Sequence, residues 1–502
     1  MSWTLGLVAL GCLIYRPWEP IPFDITDFSE ILPLLNETRG IWGRLQALIT
    51  YFGGHGRINI LSSTLMWSNW EIFGLWAPGW RLFRVLLLGV LIWAFLRTAL
   101  SFGVKPLWSG LGASLFVLGR PASEGWLRLT GEPIAAVFFL LALGVALHYH
   151  RSNSPARTSL LIGTLGVLMI LAKETMISCM PLLWLLAVTW QGESGIRIPK
   201  LNRHTLTATA ILGTTTVALG SLMLLVSSQS GPEAYTGAYG TGGLDLVRLQ
   251  YNVLATVWPL GEPFQIFSIF GASSTLFVIL GCGLAVRQGP RAPVLGGILF
   301  LLLISLSGPL VYLPWQRFEA FYAIPFLVGP AGLLALAARG LTGTSKVRAT
   351  LVMGAVALLL VQPALDADRE RDVRAITKVL NWEVARAVAD VPNADSLLFA
   401  VPILPDQAWQ GRGPAITRYA NVIFQMGKVI PAADELCADE GEHLGETPNE
   451  VEIIVSYHHW CGPIPGADKT IAQEFRSFHL RPPRVRRSRT SADILVRAPV
   501  IQ

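Results

Sequence analysis

The segment "TSLLIGTLGVLMILAKETMISCMPLLWLLAVTW", residues 158–190, decides how this chain folds. It is apolar along almost its whole length, except for Lys173 and Glu174 near its middle. A single helix of this length would reach about 50 Å, well beyond the ~30 Å hydrocarbon core of a bilayer. It would also place two charged side chains in lipid, which is costly. We therefore predict a helical hairpin, two membrane spans that turn at Lys173–Glu174.

The composition extends this interpretation to the whole chain. Of its 502 residues, 52% are hydrophobic and only 14% are charged, and the mean hydropathy is +0.50. Soluble domains carry about 25% charged residues. Residues 1–15 lack a basic leader region and a small-residue cleavage site, so we predict a retained first helix rather than a signal peptide. Five cysteines are too few for a disulfide framework.

Apolar runs of ~15–22 residues recur through residues 1–365. They predict an α-helical polytopic membrane protein with about 11 transmembrane helices. The expected spans are 1–15, 82–100, 106–119, 133–149, 158–172, 176–190, 206–226, 264–285, 293–312, 320–338 and 349–364.

The charges between the spans predict the orientation. An N-terminus in the cytoplasm gives five cytoplasmic loops, which hold twelve basic residues and a single acid, Glu193. The basic residues are Arg97, Lys105, Arg151, Arg157, Arg197, Lys200, Arg203, Arg287, Arg291, Arg339, Lys346 and Arg348. This asymmetry is what the positive-inside rule predicts. We expect a multi-pass protein of a bacterial inner membrane, with its C-terminus in the periplasm.

Residues 366–502 have no run long enough to span a membrane. Helical spacing of apolar residues in "DADRERDVRAITKVLNWEVARAVADV" predicts an amphipathic helix, and "SLLFAVPIL", "EIIVSYHH" and "ADILVRAPV" predict strands. We expect a small extracytoplasmic α/β domain after the transmembrane domain 1–365. Pairing of Cys437 with Cys461 is left open, and we predict no metal site.

The large first external loop, residues 16–81, contains "IPFDITDFSEI" with three carboxylates at three-residue spacing, Asp24, Asp27 and Glu30. One interpretation is a helix N-terminus, because acids there accept hydrogen bonds from free backbone N–H groups. The other is a general base at the membrane surface. His55 and Arg57 follow in the same loop, and Arg57 is either a binding site for a phosphate or a carboxylate, or an arginine that reaches lipid head groups.

Further charges fall at the outer ends of later spans. Arg120, Glu124, Arg128 and Glu132 are spaced by four residues, as in pairs that stabilise one helical turn. Lys173 and Glu174 lie at the tip of the hairpin, and Arg317 and Glu319 enter a late span. Each has a structural explanation alone, but their common location on one side favours a functional site.

These motifs follow one another in order along residues 1–365. The order is Asp24 and Asp27, then Gly56–Arg57 leading into "WEIFGLW", then Pro121, Glu124, Arg128, Gly131 and Glu132, then Lys173–Glu174, and then Arg317 with Phe321–Tyr322. It resembles the GT-C class of polytopic glycosyltransferases, and within it the branch of the protein O-mannosyltransferases and the tetratricopeptide-tailed transmembrane mannosyltransferases. The acids are separated as "DITD" here, whereas the family often has adjacent acids, which leaves the identity of the base open.

The resemblance implies an inverting glycosyltransferase that moves a sugar from a polyprenyl-phosphate donor to an acceptor hydroxyl at the outer face of the membrane. It implies Asp27 as the base, with Asp24 as the alternative. We predict substrate binding by Glu30, His55, Arg57, Glu124, Arg128, Lys173, Glu174, Arg317 and Glu319. Of these, Glu30, His55 and Glu319 rest on their positions in the sequence alone, and the resemblance implies the others.

The implied partners are the polyprenyl-phosphate sugar, a glycan, lipid or protein acceptor, membrane lipid and other membrane proteins, without nucleic acid. The lipid-linked sugar is a substrate rather than a cofactor, and a role for a divalent metal is left open. Three alternatives remain: a non-catalytic membrane subunit of a larger assembly, a lipid or glycan transporter, and an O-antigen ligase or polymerase, which uses similar substrates but has a different motif order.

Overall fold

The structure is a computed structural model. It describes residues 2–18, 34–35, 38–54, 57–74, 76–126, 131–190, 195–197, 199, 202–229, 246–260, 263–312, 320–342, 345–389, 397–400, 432–433, 453–457, 475–480 and 492–497. The chain divides into two units. The first comprises Met1–Glu19 and Leu45–Arg371, and the second Pro20–Arg44 and Asp372–Gln502.

The described α-helices follow the apolar runs of the sequence. They are α1 Ser2–Tyr15, α2 Gly40–Gly54, α3 Ile60–Phe73, α4 Ala77–Ser101, α5 Pro106–Ala113, α6 Leu115–Leu118, α7 Arg120–Gly125, α8 Glu132–Leu147, α9 Pro155–Ala172, α10 Cys179–Thr189, α11 Arg203–Ala208, α12 Thr214–Gln229, α13 Leu246–Val257, α14 Ile269–Gln288, α15 Arg291–Val311, α16 Val328–Thr342 and α17 Lys346–Ala389. Shorter turns join some of them, with 3₁₀ geometry at Tyr149–Arg151, Glu174–Ser178, Pro263–Phe267 and Ala320–Leu327 and π geometry at Thr209–Gly213.

Seven helical segments in the described part of the chain are long and apolar enough to cross a membrane. They are Pro78–Ser101, Pro155–Ala172, Arg203–Val226, Ile269–Gln288, Arg291–Val311, Ala320–Thr342 and Lys346–Ala367. The chain is therefore a multi-pass membrane protein. Four shorter apolar helices, Ser2–Tyr15, Pro106–Leu118, Glu132–Leu147 and Glu174–Thr189, coincide with the other expected spans. The total of about 11 spans stays a prediction.

The predicted break at Lys173 is confirmed. Helix α9 ends at Ala172, Lys173 has an extended backbone, and the chain continues through the 3₁₀ turn into α10. The far ends of this hairpin meet again, because a ring nitrogen of His150, just before α9, lies 3.3 Å from the carbonyl oxygen of Val188 near the end of α10. The two helices are therefore antiparallel.

The loops predicted to be cytoplasmic converge at one end of the bundle. The rings of Phe102 and Trp190 pack edge to face at 5.0 Å, and Arg339 Nη1 donates a hydrogen bond of 3.1 Å to the Gly103 carbonyl. Backbone atoms of Pro293 pack directly against Gly195. The alternation of loops between two sides agrees with the sequence prediction, whereas the side that faces the cytoplasm stays a prediction.

Helix α8 lies at the centre of the first unit. It packs against α4, α9 and the 3₁₀ turn Ala320–Leu327, and side chains such as Ala135, Phe139 and Leu143 are fully buried. Because α8 begins at Glu132 and ends at Leu147, it connects the two ends of the bundle over about 24 Å. Its N-terminal end carries the candidate site.

In the second unit, five strands form a mixed sheet of order β2–β1–β3–β5–β4. The strands are β1 Leu397–Ala400, β2 Ala432–Ala433, β3 Ile453–Tyr457, β4 Phe475–Leu480 and β5 Ala492–Arg497. Strand β1 pairs in parallel with β2 and β3, and β5 pairs antiparallel with β3 and β4. Strands β1, β3 and β5 occur within the three predicted segments, but the organisation as a separate α/β domain stays a prediction.

The expected helix after the last span does not stand alone. It is the continuation of α17, which runs without interruption from Lys346 to Ala389 and therefore passes through the predicted domain boundary at 365/366. Cys437 and Cys461 lie outside the described residues.

Candidate functional site

Two ion pairs form where the hairpin turns. Lys173 Nζ lies 2.7 Å from Glu132 Oε1, and Glu174 accepts a hydrogen bond of 3.0 Å at Oε1 from Arg57 Nε. Neighbouring residues thus pair with two different parts of the chain, since Glu132 begins α8 and Arg57 lies between α2 and α3. The break at Lys173 allows the two neighbouring side chains to reach different partners. In a continuous helix, Lys173 and Glu174 would lie one residue apart on the same turn.

Glycine allows the first ion pair to form. A Cβ added to Gly131, the residue before Glu132, would lie 2.2 Å from the carbonyl oxygen of Ala172, the residue before Lys173. Only a residue without a side chain permits this approach of the two backbones. Gly131 has an ordinary helical backbone, with φ −77° and ψ −16°, so the requirement is close contact rather than an unusual conformation.

All three charged groups around this contact are buried. Glu132 is 1% exposed, Lys173 4% and Glu174 7%. Within the described residues, neither carboxylate oxygen of Glu132 accepts a well-directed hydrogen bond, nor does Oε2 of Glu174, so Lys173 neutralises Glu132 by proximity alone. Buried carboxylate oxygens without donors are uncommon in proteins and are concentrated at functional sites.

Aromatic rings line the other side of Lys173. Its Nζ lies 4.9 Å from the centre of the Tyr322 ring, within the range of a cation–π contact. Tyr312 stacks on Tyr322 at 5.2 Å and shares a hydrogen bond of 2.9 Å with Thr175 Oγ1. The Tyr312 carbonyl accepts a hydrogen bond of 3.3 Å from Asn252 Nδ2. The site is thus a cation held between a carboxylate and an aromatic wall.

Arg57 lies at a more open position than Lys173. Its side chain is 15% exposed, against 5% for that of Lys173. Its backbone is tied to the end of α2, since the Arg57 N–H donates to the Phe52 carbonyl at 2.7 Å. A guanidinium carries five N–H donors, which is suited to oxyanions such as carboxylates and phosphates.

The structure brings together three of the predicted site residues, Arg57, Lys173 and Glu174. Seven others lie outside the described residues: Asp24, Asp27, Glu30, His55, Arg128, Arg317 and Glu319. Glu124 lies in α7, but its side chain is not among those described. Their predicted roles stay predictions.

The sequence did not reveal which groups would surround Lys173. The sequence places Glu132 in a four-residue charge spacing and in an external-loop motif of the resemblance, whereas in the structure it pairs with Lys173, which is distant in sequence. Tyr312 and Thr175 were missed. An available signal was the polar and aromatic pattern around Tyr312 and Phe321–Tyr322, next to the charged segment "QRFE".

The described residues contain no group of three or more histidine, cysteine, aspartate or glutamate side chains that could hold a metal ion.

Comparison with known proteins identifies the fold. No protein-family model matches the chain, and no curated protein matches it in sequence. Among solved structures, the arabinofuranosyltransferase AftD from Mycobacteria is similar with a TM-score of 0.51 at 14% identity, covering 99% of this chain and 40% of AftD. ArnT from Cupriavidus metallidurans in the apo state is similar with a TM-score of 0.50 at 12% identity, covering 98% of this chain and 97% of ArnT.

These likenesses establish the fold alone. The chain has the helical membrane fold of these two structures, spanning nearly the whole of ArnT but only 40% of AftD. The expected mannosyltransferase branch of the GT-C class stays a prediction.

Proposed function

We propose that this protein is an inverting glycosyltransferase that moves a sugar from a polyprenyl-phosphate donor to an acceptor hydroxyl at the outer face of the membrane. The observation that carries the proposal is the buried group of Lys173, Glu132, Glu174 and Arg57 at one end of a membrane bundle with the GT-C fold. Paired charges at such a depth are expensive and are retained mainly for function.

Cations near the membrane surface suit the leaving group of this reaction. The phosphate gains negative charge as its bond to the sugar breaks, and fixed cations stabilise that charge. Arg57, the more exposed of the two described cations, would contact the phosphate directly, and Lys173 would act from the buried side. We expect Arg317 to contribute a third cation.

The reaction needs a single base. A carboxylate removes the proton of the acceptor hydroxyl, and the oxygen forms a bond to the anomeric carbon from the side opposite the phosphate. The bond between that carbon and the phosphate oxygen breaks, and the phosphate leaves with the electron pair. We propose Asp27 as the base, with Asp24 as the alternative.

The sequence resemblance and the likeness to ArnT support the proposed donor class. ArnT from Cupriavidus metallidurans, whose apo structure shares this fold, has also been crystallised bound to undecaprenyl phosphate. We propose a polyprenyl phosphate as the lipid carrier here, in a bacterial inner membrane with the site on its periplasmic side. The acceptor would be a glycan, a lipid or a protein.

Transfer of radiolabelled sugar from polyprenyl-phosphate donors, measured in membranes at equal expression, tests this proposal. Asp27→Asn should lower the rate by about 10²-fold or more if Asp27 is the general base. Lys173→Gln should lower it as well, whereas Lys105→Gln, which removes an exposed lysine at the opposite end, should leave it unchanged.

The outcomes separate the alternatives. Loss with Asp24→Asn and not with Asp27→Asn would exchange the roles of the two acids. Equal rates in both asparagine variants and the wild type would refute the proposed mechanism. No sugar transfer by the wild type with any donor would favour a non-catalytic membrane subunit. Movement of the donor lipid across the membrane of proteoliposomes, without sugar transfer, would favour a transporter.

A further inference from the structure

A cavity lies at the opposite end of the bundle from the buried ion pairs. It has a volume of about 1240 Å³ and opens between the C-terminal ends of α4 and α8. Glu132 at the start of α8 belongs to the candidate site, and His148, just after its end, lines this cavity. The two sites are thus separated by about 24 Å, the length of α8.

Arginines line this cavity, and none of the described lining residues is an aspartate or glutamate. The arginines are Arg97, Arg151 and Arg339, and His148 also contributes to the lining. Arg339 is fixed to the Gly103 carbonyl, while Arg97 and Arg151 are exposed and have no described carboxylate within ion-pair distance. The positive-inside rule accounts for basic residues on these loops but not for their convergence on one cavity.

Apolar side chains lie on both sides of Arg97 along one wall of the cavity. On α4, Trp93, Arg97 and Leu100 lie at i, i+4 and i+7 on one face, with Trp93 49% and Leu100 42% exposed. On α8, Leu141, Val145 and His148 repeat this spacing on the facing wall. Trp93 is farther from the end of α4 than Arg97, by about 6 Å.

We propose that this cavity binds an anionic phospholipid, with the phosphate of its head group between Arg97 and Arg151 and the start of an acyl chain against Trp93 and Leu141. Basic pockets between transmembrane helices recognise such head groups, and guanidinium groups pair well with phosphate oxygens. The apolar wall favours a lipid over a free phosphate ion, because a phosphate ion would contact the arginines alone. This site is independent of the proposed transferase activity.

The test is binding of phosphatidylglycerol and of phosphatidylcholine to the purified full chain in detergent, measured by native mass spectrometry. The Arg97→Gln/Arg151→Gln variant should bind phosphatidylglycerol about tenfold or more weakly than the wild type, because two cations near the phosphate are lost. The matched control is Arg157→Gln/Arg287→Gln, which removes two exposed arginines outside the cavity lining and should change the affinity less than twofold. Arg151→Gln alone should give an intermediate loss, which keeps the test valid if the double variant is poorly folded.

Two further measurements distinguish binding of a lipid from binding of a soluble anion. Trp93→Ala should weaken phosphatidylglycerol binding several-fold, and inorganic phosphate at millimolar concentration should not displace the lipid from the wild type. The proposal is overturned if the control variant loses as much affinity as the cavity variant, if phosphatidylcholine binds equally well, or if phosphate displaces the lipid and Trp93→Ala has no effect. The last result would identify a site for a soluble anion.

Discussion

At one end of the helix bundle, the charges of Glu132, Lys173 and Glu174 are buried and paired, whereas at the other end Arg97 and Arg151 are exposed without a described carboxylate partner. The exposed arginines remain solvated or near lipid head groups, so they require no partner. The buried charges have lost their water, so each depends on the group beside it.

This contrast predicts which substitutions change stability and which change mainly ligand binding. Removing a charge at the exposed end should change the free energy of unfolding little and alter mainly ligand binding. Removing one at the buried end should affect stability and activity together.

Lys173→Met should be the most damaging single change. It leaves Glu132 buried at 1% exposure without its cation, and an uncompensated buried charge lowers the free energy of unfolding by about 3–5 kcal/mol. Thermal unfolding of the purified protein, followed by tryptophan fluorescence, measures the change.

Lys173→Met has two control variants, one at each end of the bundle. Lys173→Met/Glu132→Leu should recover much of the lost stability, because no unpaired charge remains, while transfer activity stays low. Arg97→Gln should shift the free energy of unfolding by less than about 0.5 kcal/mol. Equal shifts for Lys173→Met and Arg97→Gln would contradict the contrast between the two ends.

Arg57→Gln should have a smaller effect on stability than Lys173→Met, because its side chain is 15% exposed and water can partly replace it. Loss of a hydrogen bond to a charged group corresponds to about 1.5–3 kcal/mol. Transfer activity should fall more than stability, since we propose that Arg57 contacts the donor phosphate. Arg57→Lys keeps the charge and should recover stability better than activity; a full recovery of activity would argue against a role for the guanidinium geometry.

Gly131→Ala tests whether the close contact of two backbones builds the site. The added Cβ would meet the Ala172 carbonyl oxygen at 2.2 Å, so the start of α8 must shift away from Lys173. We expect a loss of about 1–3 kcal/mol and reduced transfer. Gly220→Ala is the control, because a Cβ there meets nothing within 4 Å and alanine favours a helix by about 0.5–1 kcal/mol. If both variants were equally stable, the contact at Gly131 would not be required.

The membrane architecture could be predicted from the sequence because lipid imposes a strong length rule on apolar runs. The break at Lys173 followed from that rule and from the cost of a charge in lipid, and the structure confirms it. The extent of α17 could not be predicted in the same way, since an amphipathic segment after a span continues the helix or starts a new one at similar cost.

The partners in the site were beyond the reach of sequence pattern. Helical spacing paired Glu132 with Arg128, four residues away, but which residues of distant helices meet depends on packing. Because Gly131 has no side chain, the start of α8 approaches the Ala172 carbonyl closely enough for Glu132 to meet Lys173. The stacking of Tyr312 on Tyr322 also depends on packing. The two residues belong to segments that are joined through residues outside the described part.

The aromatic wall should contribute less than the ion pairs. A double-mutant cycle between Lys173→Met and Tyr322→Leu isolates the cation–π contact from the loss of packing at Tyr322. We expect a coupling free energy of about 0.5–2 kcal/mol. Additive effects of the two substitutions would show that Tyr322 acts through packing alone, and Tyr322→Phe should retain most of the coupling because it keeps the ring.

The smallest expected effect concerns pH at the basic end. Burial lowers the pKa of His150 below its ordinary value of 6.5, as does the nearby His204, while its contact with the Val188 carbonyl acts in the opposite direction. The unfolded chain therefore takes up this proton first as the pH falls, so the stability from His150 is fully present above about pH 6.5 and is lost as the pH falls below it.

We expect the thermal unfolding midpoint of the wild type to fall more steeply between pH 7.5 and 5.5 than that of His150→Gln. His148→Gln, a change at an exposed histidine two residues away, should keep the wild-type slope. If His150→Gln and the wild type had equal slopes, burial at this end would not affect a titrating group. A difference confined to His150 would show that even among the basic loops, the burial of each side chain decides how its charge affects stability.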